Sequence, residues 1–372
     1  MNEELEKRLN QVNVKKFGED LVQWFEQEMR DLPWRENKDP YRVWVSEIML
    51  QQTRVDTVIP YYNHFMEQFP TVEALAHAPE DDVLKAWEGL GYYSRARNLQ
   101  AAVREVHEAY EGIVPDNLKE ISSLKGVGPY TAGAILSIAY GRPEPAVDGN
   151  VMRVLSRILT IWDDIAKPSS RKKFETAVRH LIYKENPSYF NQALMELGAI
   201  VCTPTSPSCF LCPVQAHCAA FEEGSQHELP VKSKKKAAKT VELLTVIAEN
   251  NNGEVLVSQR PEQGLLANMW EFPSFEKSVK NIPDLQMTEL LKSDYHIEAV
   301  ITDEGWMYQD HIFTHLIWKM QVGRARVEEV ESQLPENARW VTQSDIEKLA
   351  MPVSHRKIAN QWKESIEKET KS

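Results

Sequence analysis

The feature that most constrains this fold is the placement of the four cysteines, which all lie between Cys202 and Cys218. Their spacing is C-x6-C-x2-C-x5-C, through Cys202, Cys209, Cys212 and Cys218. Disulfides tie distant segments of secreted proteins together, whereas thiols grouped in one short segment are typical of a metal site. Four thiolates suit tetrahedral zinc or an iron–sulfur cluster, and the spacing alone does not choose between them.

The hydrophobic pattern changes after this segment, and 372 residues exceed one ordinary core, so we expect two folded domains. Residues 14 to about 200 have the three- and four-residue apolar spacing of helices. Eight prolines are predicted to separate them: Pro33, Pro40, Pro60, Pro70, Pro79, Pro115, Pro129 and Pro143. Residues 243–248 and 255–258 resemble strands, and the Asn251-Asn252-Gly253 segment between them indicates a hairpin. A further strand at 312–322 and helices near 287–291 and 354–362 predict a smaller α+β domain.

Composition gives little support for a nucleic-acid partner, because the formal net charge is −12. Any phosphate contact must therefore use a few basic side chains and backbone N–H groups. The polar stretch at 224–239 is either a solvated linker or a basic strap, that is, a segment whose lysines contact DNA phosphates. Its lysines are Lys232, Lys234, Lys235, Lys236 and Lys239. The polar N-terminus lacks the apolar stretch of a secretory signal, and we expect a cytoplasmic protein.

The segment LKGVGPYTA (residues 124–132) lies between two helical patterns. Gly126 and Gly128 permit a tight turn with outward-facing N–H groups, and Pro129 suits the first turn of the next helix. A helix N-terminus favours an anion, so a phosphate can bind here without net positive charge. An ordinary helix–helix turn fits the two glycines equally well.

Two acidic residues lie in or next to predicted helical segments, and one of them, Glu47, has apolar neighbours that suit acid–base chemistry. Glu47 lies in the apolar run VWVSEIML, where burial in a helix raises its pKa toward that of a general acid. A Glu on the wet face of the helix is the alternative. Asp148 precedes the helical segment that starts near Val151, where the sequence alone favours a helix cap.

Four motifs occur in one order: SEIMLQQT (residues 46–53), LKGVGPYTA, VDGN (residues 147–150) and the cysteine array. Together they resemble the helix–hairpin–helix DNA glycosylases of the endonuclease III and MutY family over about residues 14–365. The resemblance implies a multidomain protein. An all-α glycosylase domain spans 1–223, a linker spans 224–239, and an α+β Nudix-like domain spans 240–365.

The resemblance also assigns roles to the motif residues. The four cysteines hold a structural [4Fe–4S] cluster, and Gly126 and Gly128 bind a DNA phosphate. Glu47 protonates adenine and later activates water. Asp148 stabilises the oxocarbenium ion beneath the sugar, and Asn150 orients it. Family members with strand-cleaving lyase activity carry Lys where this chain has Tyr130, which hydrogen-bonds near Asp148, so a monofunctional enzyme is expected.

Substrate contacts follow from the same resemblance. Arg35 and Gln192 bind the substrate, with Arg35 in the adenine pocket; otherwise Arg35 is a surface cation. The residues that probe the opened base pair are Gln52, Thr53, Leu90 and Tyr92, although the last two also suit a packed core. The residues that read 8-oxoguanine are Phe313, Thr314 and His315, although a plain strand fits them too. The segment 274–300 lacks the REx2EExG pattern of Nudix hydrolases, so this domain is expected to recognise DNA rather than hydrolyse nucleotides.

We therefore expect a monomeric base-excision enzyme that removes adenine opposite 8-oxoguanine, and less well opposite guanine, from double-stranded DNA. It leaves an abasic site. The alternatives are a glycosylase/lyase for oxidised pyrimidines, a non-catalytic iron–sulfur DNA-binding protein and a Nudix pyrophosphohydrolase.

Overall fold

A computed structural model describes residues 3–234, 237–277, 283–330 and 332–369, and the chain divides into two compact units. Unit 1 comprises residues 1–78 and 98–234, and unit 2 comprises residues 79–97 and 235–372. Lys235 and Lys236 of the predicted basic strap lie outside the described residues. Within the part that is described, none of the helices combines the length and apolar character that a membrane span requires.

The chain up to residue 223 is helical in its regular structure, as predicted. Its helices are α1 (Glu3–Gln11), α2 (Val14–Glu28), α3 (Pro40–Leu50), α4 (Val55–Gln68), α5 (Val72–His77), α6 (Glu80–Ala86), α7 (Ser94–Ala109), α8 (Leu118–Ile121), α9 (Pro129–Ile138), α10 (Gly149–Ile158), α11 (Pro168–Leu181), α12 (Pro187–Ile200) and α13 (Ala219–Glu223). Short 3-10 turns occur at Pro33–Arg35, Cys209–Leu211 and Gln215–His217.

Local sequence explains where these helices begin. Proline occupies the first turn of α3, α9, α11 and α12, where its missing N–H has no helical partner to lose. The side chains of Asp39, Asp148 and Asn186 cap α3, α10 and α12 by accepting backbone N–H groups.

Pro60 departs from the prediction that it separates two helices, because it lies inside α4. An interior proline removes one helical hydrogen bond and costs about 3 kcal/mol in an exposed helix. The buried face of α4, formed by Val58, Tyr62, Phe65 and Met66, offsets that loss by packing.

One apolar cluster of unit 1 is built by the facing surfaces of α2, α10, α11 and α12. Phe17, Phe25, Phe174 and Phe190 are fully buried at its centre. The partly buried Cys202, Cys212 and Cys218 pack against the same cluster. Of the helices around the candidate site, α10 and α12 are therefore held by this apolar cluster.

Unit 2 contains a mixed sheet of β1 (Lys239–Glu249), β2 (Val255–Gln259), β3 (Trp270–Glu271), β4 (Ser274–Glu276), β5 (Ile297–Ile312), β6 (Leu316–Val330) and β7 (Ala338–Val341). The order is β3-β2-β1-β6-β5, with β4 beside β1 and β7 beside β2. Only the β1–β6 pair is parallel among the described pairings. The predicted hairpin between β1 and β2 is confirmed, with Gly253 at φ +73°.

Alternate residues of β1 enter two apolar clusters, one on each face of the sheet. Leu243 and Ile247 belong to the cluster that includes Trp362 of α16 (Val353–Glu369). Leu244 belongs to the cluster that includes Met287 of α14 (Pro283–Tyr295). Both helices occur where the sequence predicts them, and the short α15 (Gln343–Ile346) precedes α16.

The prediction of a single strand over 312–322 is wrong at its first residues. β5 ends at Ile312 and β6 begins at Leu316, so residues 313–315 form the turn of a long hairpin. The Phe313 N–H donates to the Leu316 carbonyl at 2.8 Å, which closes this turn. Apolar residues flank the turn, with Ile312 and Phe313 before it and Leu316 after it, and for that reason the hydrophobic pattern did not indicate a break.

Candidate active site

A cavity of about 160 Å³ lies in unit 1 among the first 3-10 turn, α3, α9, the start of α10 and α12. Besides Ser46, its polar lining brings together nine residues that lie far apart in sequence: Arg30, Arg35, Glu47, Thr53, Tyr130, Asp148, Asn150, Gln192 and Glu196. Seven of these nine were selected from the sequence as site residues, whereas Arg30 and Glu196 were not.

Glu47 lies on α3, whose residues 43–49 are all buried, and only 5% of Glu47 is exposed. Burial raises its pKa to about 7, and the nearby Asp148 charge adds to the rise. The hydrogen bond from Tyr130 and the positive charge of Arg35 oppose that rise. The expectation of a buried carboxyl with a raised pKa is therefore confirmed, and Glu47 can hold a proton near neutral pH.

Tyr130, the second residue of α9, donates its hydroxyl proton to Glu47 Oε2. The same hydroxyl lies 3.3 Å from Met195 Sδ. Burial and the neighbouring Glu47 and Asp148 charges raise the pKa of Tyr130 well above its ordinary value, so the phenol stays neutral and donates. The sequence placed the Tyr130 hydrogen bond near Asp148, whereas its carboxylate partner is Glu47.

Asp148 is a helix cap and a cavity residue at once. Its Oδ1 accepts the Val151 N–H at 2.7 Å, and its Oδ2 accepts the Asn150 side-chain amide at 2.9 Å. Burial raises the pKa of Asp148, and these hydrogen bonds act against the rise by stabilising the ionised form. The helix-cap interpretation of Asp148 is therefore confirmed, and the same carboxyl group lines the cavity, where its catalytic role stays a prediction.

Arg153 links Asn150 to the cysteine segment, a connection that the sequence analysis missed. Its Nη2 donates to Asn150 Oδ1 at 2.8 Å and to the Gly198 carbonyl at 2.7 Å, and its Nε donates to the Cys202 carbonyl at 3.0 Å. A Cβ at Gly198 would lie 2.7 Å from Asn150 Cβ, so glycine is needed for this approach of α12 to α10. The three-residue spacing from Asn150 on a helix was the available signal.

Arg35 lines the same cavity and is largely buried, so it is not the surface cation of the alternative interpretation. Its Nε donates to Gln192 Oε1 at 3.2 Å, its Nη1 to the Arg30 carbonyl at 2.9 Å, and its Nη2 to Glu196 Oε2 at 3.0 Å. Burial alone raises the pKa of Glu196, but hydrogen bonds from Arg30 and Arg35 outweigh it and lower that pKa to about 2. Glu196 therefore stays ionised beside this arginine.

The glycine hairpin has the predicted backbone geometry. Gly126 adopts φ +77°, a backbone conformation that disfavours any side chain. A Cβ at this position would also lie 2.8 Å from Asn98 Cβ, which is too close for a normal contact. Gly128 is exposed and precedes Pro129, the first residue of α9. The N-terminus of α9 thus follows a compact turn, which is the arrangement that favours an anion.

All four cysteines line one small cavity together with Arg157. Arg157 Nη1 lies 3.2 Å from Cys202 Sγ and donates to it. Burial raises the pKa of Cys212 to about 12 and of Cys218 to about 11, so a bound metal is needed to hold them as thiolates. In the described part of the chain, no group of three or more acidic, His or Cys side chains has metal-ligand geometry. The donor set nevertheless fits a four-thiolate centre, because the cysteines share one cavity and a guanidinium faces it.

The remaining predicted contact residues are divided between the units. Gln52 is exposed at φ +60° just after α3, and Thr53 lines the Glu47 cavity. In unit 2, the Tyr92 hydroxyl lies 2.5 Å from Thr314 Oγ1, and both line a cavity of about 570 Å³ with Phe313 and His315. Leu90 is 7% exposed, so the packed alternative describes its present position.

Comparisons with known proteins identify two domains and a family for this chain. Residues 45–180 match the HhH-GPD superfamily of base excision DNA repair proteins, and residues 244–361 match the NUDIX domain. The adenine DNA glycosylase of Rattus norvegicus is 34% identical over 95% of this chain and 79% of its own length. That of Buchnera aphidicola (subsp. Acyrthosiphon pisum) is 31% identical over 94% of this chain and 98% of its own.

Among solved structures, a thermostable thymine-DNA glycosylase is 29% identical with a TM-score of 0.51, covering 56% of this chain and 97% of that one. The sequence expectation of a helix–hairpin–helix domain followed by a Nudix-like domain is confirmed. Because both adenine DNA glycosylases are more than 30% identical to nearly the whole of this chain, the chain belongs to the adenine DNA glycosylase family of base-excision repair hydrolases.

Proposed function

We propose that this enzyme hydrolyses the N-glycosidic bond of adenine paired with 8-oxoguanine in double-stranded DNA. The observation that carries the proposal is the pairing of two carboxyl groups in one buried cavity, one of them with a pKa of about 7. Adenine leaves poorly as an anion, so its departure needs a proton on the base and a negative charge near the sugar. Glu47 and Asp148 supply these two functions.

Glu47 donates its carboxyl proton to a ring nitrogen of adenine, N7 in our proposal. The bond between the sugar C1′ and adenine N9 then breaks, and its electron pair stays with the protonated base. The hydrogen bond from Tyr130 fixes the Glu47 carboxyl while the raised pKa keeps a proton available near neutral pH. Glu47, now a carboxylate, takes a proton from the water that attacks C1′.

Asp148 stabilises the positive charge that develops on the deoxyribose. Its two hydrogen bonds, from the Val151 N–H and the Asn150 amide, hold the carboxylate in one orientation. These donors also favour the ionised form that the role requires. Attack by water at C1′ leaves an abasic site and regenerates the protonated Glu47.

The proposed enzyme is monofunctional, because strand cleavage of the lyase type requires an amine nucleophile. Tyr130 is a neutral phenol, and no lysine occurs among the described residues that line the cavity. The abasic strand should therefore stay intact until alkali is added.

Recognition of the base opposite adenine is assigned to unit 2. Tyr92 and Thr314 contact each other through their hydroxyl groups, and Phe313 packs against Trp318 at 4.9 Å between ring centroids. Thr314→Val removes the hydroxyl at constant shape, whereas Thr314→Ser keeps it. We expect the Val variant to lose several-fold in preference for 8-oxoguanine over guanine and the Ser variant to retain it. Equal preference in all three proteins would remove Thr314 from this role.

Cys202, Cys209, Cys212 and Cys218 would hold a [4Fe–4S] cluster, which when bound would keep the four cysteines as thiolates and fix the fold of their loop. Iron and acid-labile sulfide in equal amounts in anaerobically purified protein would support this cofactor. Zinc in place of iron would contradict it.

The activity test is base release from duplexes carrying 8-oxoguanine:adenine, guanine:adenine or an oxidised pyrimidine, each read with and without alkali. The proposal predicts cleavage of the adenine strand only after alkali, fastest opposite 8-oxoguanine. Alkali-independent cutting at the oxidised pyrimidine would instead identify a lyase.

A further inference from the structure

Glu196 is the third carboxylate in the lining of the active-site cavity, after Glu47 and Asp148. It is the one of the three whose two oxygens both accept hydrogen bonds from arginine side chains. Its side chain is 2% exposed. Its Oε1 accepts Arg30 Nε at 2.7 Å and the Arg30 backbone N–H at 3.2 Å. Its Oε2 accepts Arg30 Nη2 at 2.9 Å and Arg35 Nη2 at 3.0 Å. Both carboxylate oxygens are thus used by the two guanidinium groups.

This arrangement determines where Arg35 stands. Arg35 Nη2 is held by Glu196, while its Nε is held by Gln192, one helical turn earlier on α12. The Arg35 side chain is 14% exposed and shares the cavity wall with Glu47. Arg35 Nη1 also donates to the Arg30 carbonyl at 2.9 Å, so Glu196 supplies one of three hydrogen bonds that fix the orientation of the planar guanidinium. The hydrogen bond to Glu196 is charge-assisted, whereas Gln192 and the Arg30 carbonyl are neutral acceptors.

The same arrangement determines the charge near the acid. Arg35 favours the ionised form of Glu47, which is the wrong form for donating a proton. A negative group bound to both arginines offsets their field at short range in a site shielded from water. Because its pKa is about 2, Glu196 keeps this charge throughout the range in which Glu47 titrates.

We propose that Glu196 is a positioning residue of the excision reaction, which fixes Arg35 against the cavity wall and offsets the guanidinium charge that faces Glu47. This inference rests on the proposed function, since it assumes that Glu47 donates a proton to a base held in this cavity. Glu196 itself touches no reacting atom in this account.

The test is the pH dependence of adenine release from the 8-oxoguanine:adenine duplex under subsaturating conditions, from pH 5.5 to 8.5. Glu196→Gln keeps the shape and removes the charge, so the pKa of Glu47 should fall. The alkaline decline should then begin about one pH unit lower, which is roughly a tenfold rate loss at pH 8. The double variant Arg30→Gln/Glu196→Gln removes one charge of each sign and should move the decline back toward its original pH.

Glu144→Gln is the matched control, because Glu144 pairs with Arg179 at 2.8 Å outside the cavity of the same unit. It should leave the profile unchanged. Glu196→Asp keeps the charge on a shorter side chain, so it should lower the rate several-fold at every pH without moving the decline. This variant also tests the positioning role if Glu196→Gln does not fold.

Two results would overturn the inference: a uniform rate loss in Glu196→Gln with an unmoved profile, or wild-type rates in both Glu196 variants. If the wild-type enzyme releases no adenine, the proposed function fails instead. The effect of the Glu196 charge on the pKa of Glu47 can then still be measured by isotope-edited NMR of the glutamate carboxyl carbons. The Glu47→Gln variant identifies the Glu47 signal, because that signal is missing from its spectrum. An unshifted Glu47 titration in Glu196→Gln would contradict the charge effect directly.

Discussion

Tyr130 donates a hydrogen bond to Glu47 although the two residues lie 83 positions apart, on α9 and α3. This bond stabilises the ionised carboxylate, and burial stabilises the neutral acid. The proton affinity of Glu47 is therefore set by two opposing effects that separate substitutions can change.

Tyr130→Phe removes the effect that lowers the Glu47 pKa. We expect the alkaline decline of adenine release to move to higher pH, while the maximal rate falls roughly tenfold because the carboxyl group loses its orientation. Tyr140→Phe is the control, since Tyr140 donates to the Val114 carbonyl away from the cavity. A decline that moves to lower pH in Tyr130→Phe would contradict this account.

Glu47→Gln should stabilise the folded protein in alkali. Burial raises the pKa of Glu47 in the folded protein from 4.5 to about 7. The free energy of unfolding of the wild type is therefore highest below pH 4.5, where Glu47 is protonated in both states, and it falls as pH rises through 7. Ionising this buried group costs up to about 3 kcal/mol, at 1.36 kcal/mol per pH unit. Gln stays neutral, so the difference in Tm between variant and wild type should grow from near zero at pH 5 to several degrees at pH 8. An equal difference at both pH values would show that Glu47 is not desolvated.

How much of this site could be read from sequence depends on the kind of contact. The burial of Glu47 follows from its apolar neighbours in SEIMLQQT, and the cap formed by Asp148 follows from one local hydrogen bond. The partners of Glu196, Arg30 and Arg35, lie 166 and 161 positions away in the sequence. Helical periodicity relates only residues a few positions apart, so it cannot predict these ion pairs. A buried carboxylate on α12 reads as an ordinary helical Glu until Arg30 and Arg35 are placed beside it.

The fold shows the same limit. Strand periodicity located β1, β2 and β6, and turn chemistry located the β1–β2 hairpin. The turn at 313–315 went unseen because Phe313 and Leu316 continue the apolar pattern through it. The prediction that Pro60 ends a helix is wrong, because the packing of Tyr62 and Phe65 outweighs the local tendency of proline to break a helix.

Arg153→Met should weaken both the orientation of Asn150 and the attachment of the cysteine segment. It leaves the Gly198 and Cys202 carbonyls without their donor, at about 1–3 kcal/mol for each buried group. Arg153→Lys keeps the charge without the planar fork and should recover only part of the loss. Excision rate, Tm and iron content measured together are predicted to fall together; a normal rate in Arg153→Met would show that Asn150 does not depend on it.

Gly126→Ala should weaken DNA binding, because an added Cβ meets Asn98 and the φ of +77° disfavours any side chain. The matched control is Gly224→Ala in the same unit, which has the same φ of +77° but open space around its Cβ. Both variants should lose about 1 kcal/mol of stability from the backbone. Only Gly126→Ala should lower affinity for an undamaged duplex, measured by fluorescence anisotropy. Equal affinities would place the phosphate contact elsewhere.

The most direct test of the central claim is the adenine release rate of wild type and Glu47→Gln on the 8-oxoguanine:adenine duplex across pH. With Glu47 as the acid, the wild-type rate should fall about tenfold per pH unit above about pH 7. Glu47→Gln, folded and bound to the duplex, should release no adenine at any pH. Release by Glu47→Gln with the wild-type pH profile would contradict the account, because the proton would then come from another group.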